Sequence, residues 1–473
     1  MKNVFAIVLT SLLLTSCAVG PNYRAPQIAP AALRNAAAPE FVARSPESLW
    51  WREFEDPELD ALMTRALAAN LDLRSAYDRV RSARAVFVER KLDYAPHVQL
   101  DAGYAHSDEQ QPGFTDSRVN SQSDSLGFDA TWEIDLFGHV RRSVEAARAD
   151  LGAERANYED AQVTVAAEVA RNYFELRGAQ QRLVVAHGNL DTEHQTLALT
   201  QLLDEVGRGS ELDVQRSRAR LKATESTIPP LEAAEKQAGY RLAVLLGERP
   251  GALDAELHPA AFETYAKSLP IGDPTVLLRQ RPDVRAAEQQ LAAATARVGV
   301  ATADLFPRVN VTGFIGFLSG DVGKLFGSNT HAWSIAPSVS WAAFDIGSVR
   351  ARLRASESQS DAAAANYEKV VLTALEDTEN SFVAYRTRQA QLKSLSEQAQ
   401  ASRRAAELAD TQYREGVADF LVLLDAQRTQ LDAEDAVAQA QTGVNVAVVA
   451  IYKALGGVGQ PLGETPIKVA RIP

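Results

Sequence analysis

The sequence predicts an α+β membrane protein made of two duplicated halves. Each half pairs long antiparallel helices, of coiled-coil-barrel type, with one hairpin for a transmembrane β-barrel. Three observations predict this: an internal repeat, two sets of period-two apolar runs, and two proline-free stretches of helical pattern. Shifted by 209 positions, Trp132 meets Trp341, Gly138 meets Gly347 and Arg141 meets Arg350. Arg177 meets Arg386, Gly207 meets Gly416, and Leu246-Gly247 meets Leu455-Gly456. Upstream the offset is 211, and Asp72, Arg74 and Pro96 match Asp283, Arg285 and Pro307. Self-similarity over such a length marks a duplicated structural unit.

The strands come from alternation. Val98, Leu100, Ala102 and Tyr104 alternate with Gln99, Asp101 and Gly103, and Leu126, Phe128, Ala130 and Trp132 do the same after a polar stretch, 107–123, that reads as a loop. In the second half Val309, Val311, Ile315 and Phe317 form one run, and Trp333, Ile335, Pro337, Val339 and Trp341 form the next. The β-hairpins are thus 97–133 and 308–342, with strands of about nine or ten residues, the length a tilted strand needs to cross a bilayer. Trp132 and Trp341 occupy equivalent strand ends, where a membrane barrel carries its aromatic girdle. Alternation alone fits a soluble sheet equally well.

The helices come from what is missing. No proline lies between Pro112 and Pro229 or between Pro337 and Pro461. Helices of about 65 residues are predicted over 141–204 and 349–413, each roughly 100 Å long at 1.5 Å per residue. Gly207, Arg208 and Gly209 end the first and Gly416 the second, as C-terminal glycines do. Returning helices complete the pairs 138–247 and 347–456. Val437, Ala440, Val444, Val448, Ile451 and Leu455 form one apolar stripe on the last of them, and Pro229-Pro230 interrupts only the first. Shorter helices run from Pro57 to about Tyr94, with a break near Asn70.

Composition agrees. Of 473 residues 46% are hydrophobic, but only 7% are aromatic, which suits helices packed through alanine rather than one large core. The net charge of −12 disfavours nucleic acid as a partner. The seven histidines are scattered, and no HExxH, GxSxG or phosphate-binding GxxxxGK[ST] occurs. No metal, no cofactor and no enzyme activity is expected.

Cys17 is the sole cysteine, so it has no disulfide or zinc partner. It follows Lys2 and an apolar run too short to span a bilayer, the pattern of a signal peptide. Leu14-Thr15-Ser16-Cys17 resembles the lipobox of bacterial lipoproteins, in which the cysteine becomes the first mature residue and carries acyl chains; a chance cysteine near a cleaved signal is the alternative. Ala18, not aspartate, follows it, which by that resemblance directs the lipoprotein to the outer membrane. The organisation expected is a signal peptide over 1–16, a lipid-anchored leader over 17–55, repeats over 56–264 and 265–458, and a tail over 459–473.

Four strands cannot close a barrel, and open sheet edges are not tolerated in lipid. If the strands span, several copies must share one barrel, with the polar residues Asp101, Asp129, Glu133, Asn310 and Thr312 and serines 334, 338 and 340 facing a watery lumen.

Several stretches resemble the outer-membrane factor (TolC) family, most closely its NodT-type lipoproteins, which serve resistance-nodulation-division (RND) efflux pumps. They are Cys17-Ala18-Val19-Gly20-Pro21-Asn22-Tyr23, WEIDLFGHVRR at 132–142, IPPLEAAEKQAGYRLAVLLGERPG at 228–251, LRQRPDVRAAEQQLAAATARVGVATADLFPRVNVTG at 278–313 and LVLLDAQRTQL at 421–431. The resemblance implies a homotrimer with four strands per subunit in a twelve-stranded barrel, continued by a periplasmic helical tunnel. Its partners would be outer-membrane lipid, a periplasmic membrane-fusion adaptor and an inner-membrane RND pump. The function implied is a passive exit duct for drugs or other small toxic compounds. Two other readings stand beside it: a duct for type I protein secretion, and a lipid-anchored periplasmic coiled-coil protein without a barrel.

By the same resemblance LVLLDAQR carries a tunnel gate: Leu421 an apolar ring, Asp425 a carboxylate ring, and Arg428 on the same helix face at i+7. Shifted back by 209, Asp425 falls on Arg216. Arg216 or Arg428 is therefore expected to pair with Asp425 on a neighbouring helix in the closed state, against the simpler reading of a solvated pair on one helix. The tips at Gly207, Arg208, Gly209, Arg414 and Gly416 are expected to contact the adaptor, although turn chemistry alone accounts for the glycines.

Overall fold

The structure is a computed structural model that describes residues 18–26, 33–44, 47, 49–110, 113, 116–260 and 262–457. In chain order the elements are β1 (Phe41–Val42), a 3-10 turn (Trp50–Phe54), α1 (Pro57–Ala69), α2 (Leu71–Leu92), β2 (His97–Gln110), β3 (Arg118–Ile134), α3 (His139–Glu205), α4 (Glu211–Glu225), α5 (Ile228–Leu245), β4 (Leu269–Pro270), α6 (Pro274–Gln280), α7 (Pro282–Ala303), β5 (Arg308–Ser319), β6 (His331–Ser340), α8 (Ile346–Arg414) and α9 (Phe420–Ala454). The long helices run for 67 and 69 residues, slightly beyond the predicted ends. None of the described helices is long and apolar enough to cross a membrane.

The chain forms two compact units, and each draws on both repeats. The first takes Asp78–Arg155 and Ala286–Lys369 with the start of the chain. Its centre is an antiparallel four-stranded sheet in the order β2-β3-β5-β6. The register puts Leu100 opposite Phe128, Phe128 opposite Ile315 and Ile315 opposite Trp333. Directly opposed residues share a face, so these side chains form one apolar surface. Its other face carries Asp101, Asp129, Glu133, Asn310, Thr312, Ser334, Ser338 and Ser340, by the same register. The strands are longer than expected in the first hairpin, 14 and 17 residues. The predicted loop over 107–123 is a correction: Ser107 pairs with Ser121, Asp108 with Asn120 and Gln110 with Arg118. An exposed two-stranded ribbon needs no apolar face, so a polar stretch extends it as readily as it forms a loop.

The second unit comprises Ala29–Tyr77, Ala156–Arg285 and Val370–Pro473. Helix α1 starts at Asp56, whose Oδ1 accepts the amides of Glu58 and Leu59 at 3.0 and 3.1 Å, with Pro57 in the first turn. The expected break falls at Asn70, which leaves the helical conformation. Its Oδ1 caps α2 through Asp72 and Leu73, and its Nδ2 donates to Leu245 O at 2.8 Å. Arg281 occupies the matching place in the second repeat and donates to Ala454 O, also at 2.8 Å. Leu245 and Ala454 are themselves repeat mates, so each half ties off its returning helix in the same way.

Aromatic residues are few but concentrated here. Trp50 stacks on Tyr452 at 5.1 Å, and Phe54 packs on Phe174 at 4.6 Å. Buried Arg177 donates to His258 O at 2.6 Å, to Gln180 at 2.8 Å and to the Glu58 carboxylate. Helix α9 lies close to α3 at Gly178, where an added Cβ would come within 2.2 Å of Thr442 Oγ1. The predicted stripe on α9 is buried from Ala440 to Leu455, and Val437 is half-buried. The diprolyl Pro229-Pro230 sits in the first turn of α5, so the returning arm of the first half is two helices and that of the second is one.

Candidate functional site

Three places in the chain carry the expected functional residues: the sheet, the leader and the helix tips. The sheet has one apolar face, one polar face and two unpaired edges, on β2 and β6. Trp132 and Trp341 are pinned identically. Their Nε1 atoms donate to Tyr94 O and Leu305 O, each at 3.1 Å, and those acceptors are also repeat mates. Where β3 enters α3 and α7 enters β5, four ionisable side chains converge. Arg308 donates to the Asp304 carboxylate and lies 2.8 Å from His139 Nε2, and His139 Nδ1 lies 3.2 Å from Glu133. The repeat mates of Glu133 and His139 are Ala342 and Ser348, so this knot exists at one junction only.

Cys17 lies outside the described residues; Ala18 does not. Val19 N donates to Phe137 O at 3.1 Å. Arg142, only 4% exposed, donates to Val19 O at 3.2 Å and to Asn22 Oδ1 at 2.7 Å, with Gly20 O at 3.4 Å. Gly20 takes a left-handed φ of 86° directly against Gly299, where any Cβ would meet the Gly299 Cα at 2.6 Å. Tyr23 Oη donates to Glu288 at 3.2 Å. The Ala18–Tyr23 segment is therefore built into the fold, and Ala18 touches the Gly138 turn at the foot of β3. Sequence reasoning missed Arg142, although it stands in WEIDLFGHVRR; a guanidinium among glycines and a polar leader has no periodic signature.

At the tips, Gly207 and Gly416 take left-handed φ values of 73° and 75°, as helix-ending glycines do. Gly209 N and Arg208 N both donate to Leu203 O at 2.8 Å, and Val417 N donates to Gln412 O at 2.8 Å. The two tips adjoin, because an added Cβ on Gly416 would lie 3.7 Å from the Arg208 guanidinium. Arg414 pairs with Asp410 on its own helix at 2.8 Å.

Leu421, Asp425 and Arg428 lie on the first turns of α9. Leu421 is 50% exposed and lines a groove of about 780 Å³ with Leu408, Ala409, Val422 and Asp425. Within the chain, Asp425 accepts from Arg428 at 2.7 Å on the same helix, and Arg216 lies 3.6 Å from Asp213 on its own helix. A single chain thus does not bring Arg216 to Asp425. Further along, Glu193 is 3% exposed. Its Oε1 accepts from Arg220 and Thr224 at 3.0 and 2.9 Å, while Oε2 has no partner. Burial holds its carboxyl above the usual glutamate range against the pull of these donors.

A family model for outer membrane efflux proteins matches residues 62–248 and 274–457, one match in each half. The chain belongs to the outer membrane efflux protein family. This efflux protein is 32% identical over 478 residues to the antibiotic efflux pump outer membrane protein ArpC of Pseudomonas putida, covering 96% of each chain. It is 28% identical over 421 residues to nodulation protein T of Rhizobium leguminosarum bv. trifolii, covering 89% of this chain and 90% of that one. Among solved structures it is similar to the outer-membrane channel OprN, with 49% identity, a TM-score of 0.90, and 93% and 99% of the two chains covered. The fold is that of TolC-like outer-membrane channels. The protein is an efflux channel of the outer membrane and not an enzyme.

Proposed function

We propose that three copies of this chain form the exit duct of a tripartite RND-type efflux system. The observation that carries the reading is the sheet: four strands, apolar on one side and polar on the other, with both edges open. Such a sheet is stable in lipid only when its edges are paired. Three copies contribute twelve strands, the apolar surface faces lipid and the polar surface lines a water-filled lumen. The long helices continue the tube into the periplasm. The contacts of Ala18–Tyr23 hold the leader at the foot of the sheet, which suits a diacyl or triacyl anchor on Cys17 at the membrane surface. Cargo is a drug or other small toxic compound, as the name of ArpC supports, and energy comes from the inner-membrane pump.

The adjoining tips around Arg208, Gly209, Arg414 and Gly416 meet a periplasmic adaptor, and Leu421 and Asp425 narrow the tunnel. Detergent-purified protein tests this reading in planar bilayers. The expected result is a trimer that conducts ions; a monomer without conductance refutes it. Asp425→Ala is expected to raise single-channel conductance and reduce cation preference, since a carboxylate ring favours cations. Unchanged conductance and selectivity would remove Asp425 from the gate.

A further inference from the structure

The connection from β5 to β6, 320–330, is ordered by its own hydrogen bonds. Asp321 Oδ1 accepts the Gly323 amide at 2.9 Å and starts a 3-10 turn, Val322–Lys324. Thr330 closes the loop: its O accepts from Leu318 N at 2.8 Å, and its Oγ1 lies 2.6 Å from Leu325 O and 2.7 Å from Gly327 O. Held this way, Leu325 is buried, while Val322 is 67% exposed and Phe326 71%. Lys324, between them in sequence, has a side chain 78% exposed, with its ammonium 3.4 Å from Asp321. Two exposed apolar side chains would mean little alone. Here they continue a larger surface.

The register sets Ala102 opposite Leu126, Leu126 opposite Phe317 and Phe317 opposite His331. This is the last row of the apolar face, and the next holds Tyr104, Asp124 and Ser319. Phe326 stands edge-on to Phe317 with ring centroids 5.3 Å apart, and His331 packs on the same ring at 4.8 Å. Side chains two residues apart on a strand share a face. Phe317 therefore shares its face with Ile315, and Phe326 lies on the apolar side of the sheet. Height agrees. From His331 to Trp341 is ten residues of chain, about 33 Å of strand. At a tilt of about 40° that is about 25 Å, the height of the apolar band of an outer-membrane barrel. Trp132 and Trp341 mark one boundary of this band, and Phe326 stands at the other.

We propose that the Val322–Phe326 loop docks in the outer leaflet of the membrane, with Val322 and Phe326 among acyl chains and the Lys324 ammonium on a lipid phosphate. This deepens the duct reading above and rests on it. Lipid is the occupant for two reasons. The apolar wall of the sheet runs through Phe317 into Phe326 without a break, so what covers Ile315 and Trp333 covers the loop as well. A cation beside two apolar side chains also matches the depth at which acyl chains end and phosphates begin. The lysine stem lets the ammonium reach the phosphates while its neighbours stay lower. The leader is docked at the foot of β3, so the loop grips the leaflet at the opposite end of the sheet.

Collision rates of a nitroxide spin label test this in the full-length protein, reconstituted in vesicles of phosphatidylethanolamine and phosphatidylglycerol. Val322→Cys, Phe326→Cys, Ile335→Cys and Asn120→Cys carry the label one at a time, and the unsubstituted protein is the blank for Cys17. The expected ratio of oxygen to nickel-chelate collisions at 322 and 326 lies within about twofold of that at 335, in the apolar wall. It should stand at least about fivefold above that at 120, on the polar ribbon. Two loop positions keep the test readable if one variant fails to fold. A ratio at both of them equal to that at 120 would overturn the proposal, since the loop then stands in water. Low collision rates with both reagents would overturn it too, by placing protein such as a second copy over the loop. A water-like ratio at 335 itself would instead overturn the duct reading beneath it. Lys324→Glu, added to labelled Phe326→Cys, should lower the ratio at least about threefold against this anionic surface. An unchanged ratio would overturn the phosphate contact.

Discussion

Replacing Arg142 should release the leader from the body of the channel. The side chain is almost fully buried, and its two short bonds to the leader run to Val19 O at 3.2 Å and Asn22 Oδ1 at 2.7 Å, while Glu145 on its own helix takes a third at 2.8 Å. The 3.4 Å approach to Gly20 O adds little. A hydrogen bond from a charged donor contributes about 1.5–2 kcal/mol net, so Arg142→Leu removes roughly 3–4 kcal/mol of leader docking. At about 1.4 kcal/mol per tenfold, that shifts the docked-to-free equilibrium by two to three orders of magnitude. Leucine keeps an aliphatic side chain beside Gly299 and removes the donors that hold Val19 and Asn22. Amide hydrogen exchange reads the effect directly. Val19 N, bonded to Phe137 O, should lose about a hundredfold or more of its protection, while the sheet and α3 keep theirs. The Tyr23–Glu288 contact remains, so the loss should fade beyond Tyr23. Exchange at Val19 that stays within threefold of the wild type would refute the clamp and leave the leader held by its other contacts, Gly20 against Gly299 and Tyr23 to Glu288 among them.

Other perturbations follow from the same contacts. Arg281→Ala leaves Ala454 O with only the longer 3.3 Å bond from buried Thr378 and Asp283 without its guanidinium partner, at a cost of about 3 kcal/mol in urea unfolding. Asn70→Ala removes one neutral bond and one helix cap and should cost about 1–2 kcal/mol; equal costs would contradict the assignment of charge to the stronger tie. Glu193 binds its proton more tightly in the folded than in the unfolded protein, so the stability it contributes is greatest at low pH. That contribution falls as pH rises from the ordinary glutamate range through the raised folded value. The gap in Tm between Glu193→Gln and wild type should therefore be more positive at pH 8 than at pH 5, and a gap independent of pH would show that Glu193 titrates normally.

What the sequence discloses and what it hides divide along a physical line. Helix ends, strand faces and the Asn70 break are written locally, in glycine, alternation and capping chemistry, and each emerged within a few residues of its predicted place. The polar ribbon at 107–110 and 118–123 did not, because backbone pairing there depends on a partner strand and not on any apolar pattern. The side-chain pairs were the least legible. The expectation that Arg216 or Arg428 reaches Asp425 from a neighbouring helix came from the repeat, yet within one chain each arginine lies beside a carboxylate three residues away on its own helix. An exposed Arg–Asp pair at that spacing contributes about 0.3–0.5 kcal/mol, little enough for assembly to exchange it for another partner.

The repeat shows why. Positions that hold backbone to backbone keep their role in both halves: Trp132 with Trp341 on the strand turns, Asn70 with Arg281 on the returning helices, and Gly207 with Gly416 at the tips. Asn70 and Arg281 differ in chemistry, yet they serve one carbonyl geometry, so the geometry is the shared constraint and the residue type is free. Ionisable positions are split: Arg141 and Arg177 keep their type in Arg350 and Arg386, whereas Asp425 stands against Arg216, His139 against Ser348 and Glu133 against Ala342. The Glu133–His139–Asp304–Arg308 knot joins residues of the first half to residues of the second where β3 runs into α3 and α7 into β5. Its counterparts Ala342 and Ser348 cannot form an ion pair, so the repeat keeps the backbone frame and gives up the side-chain tie.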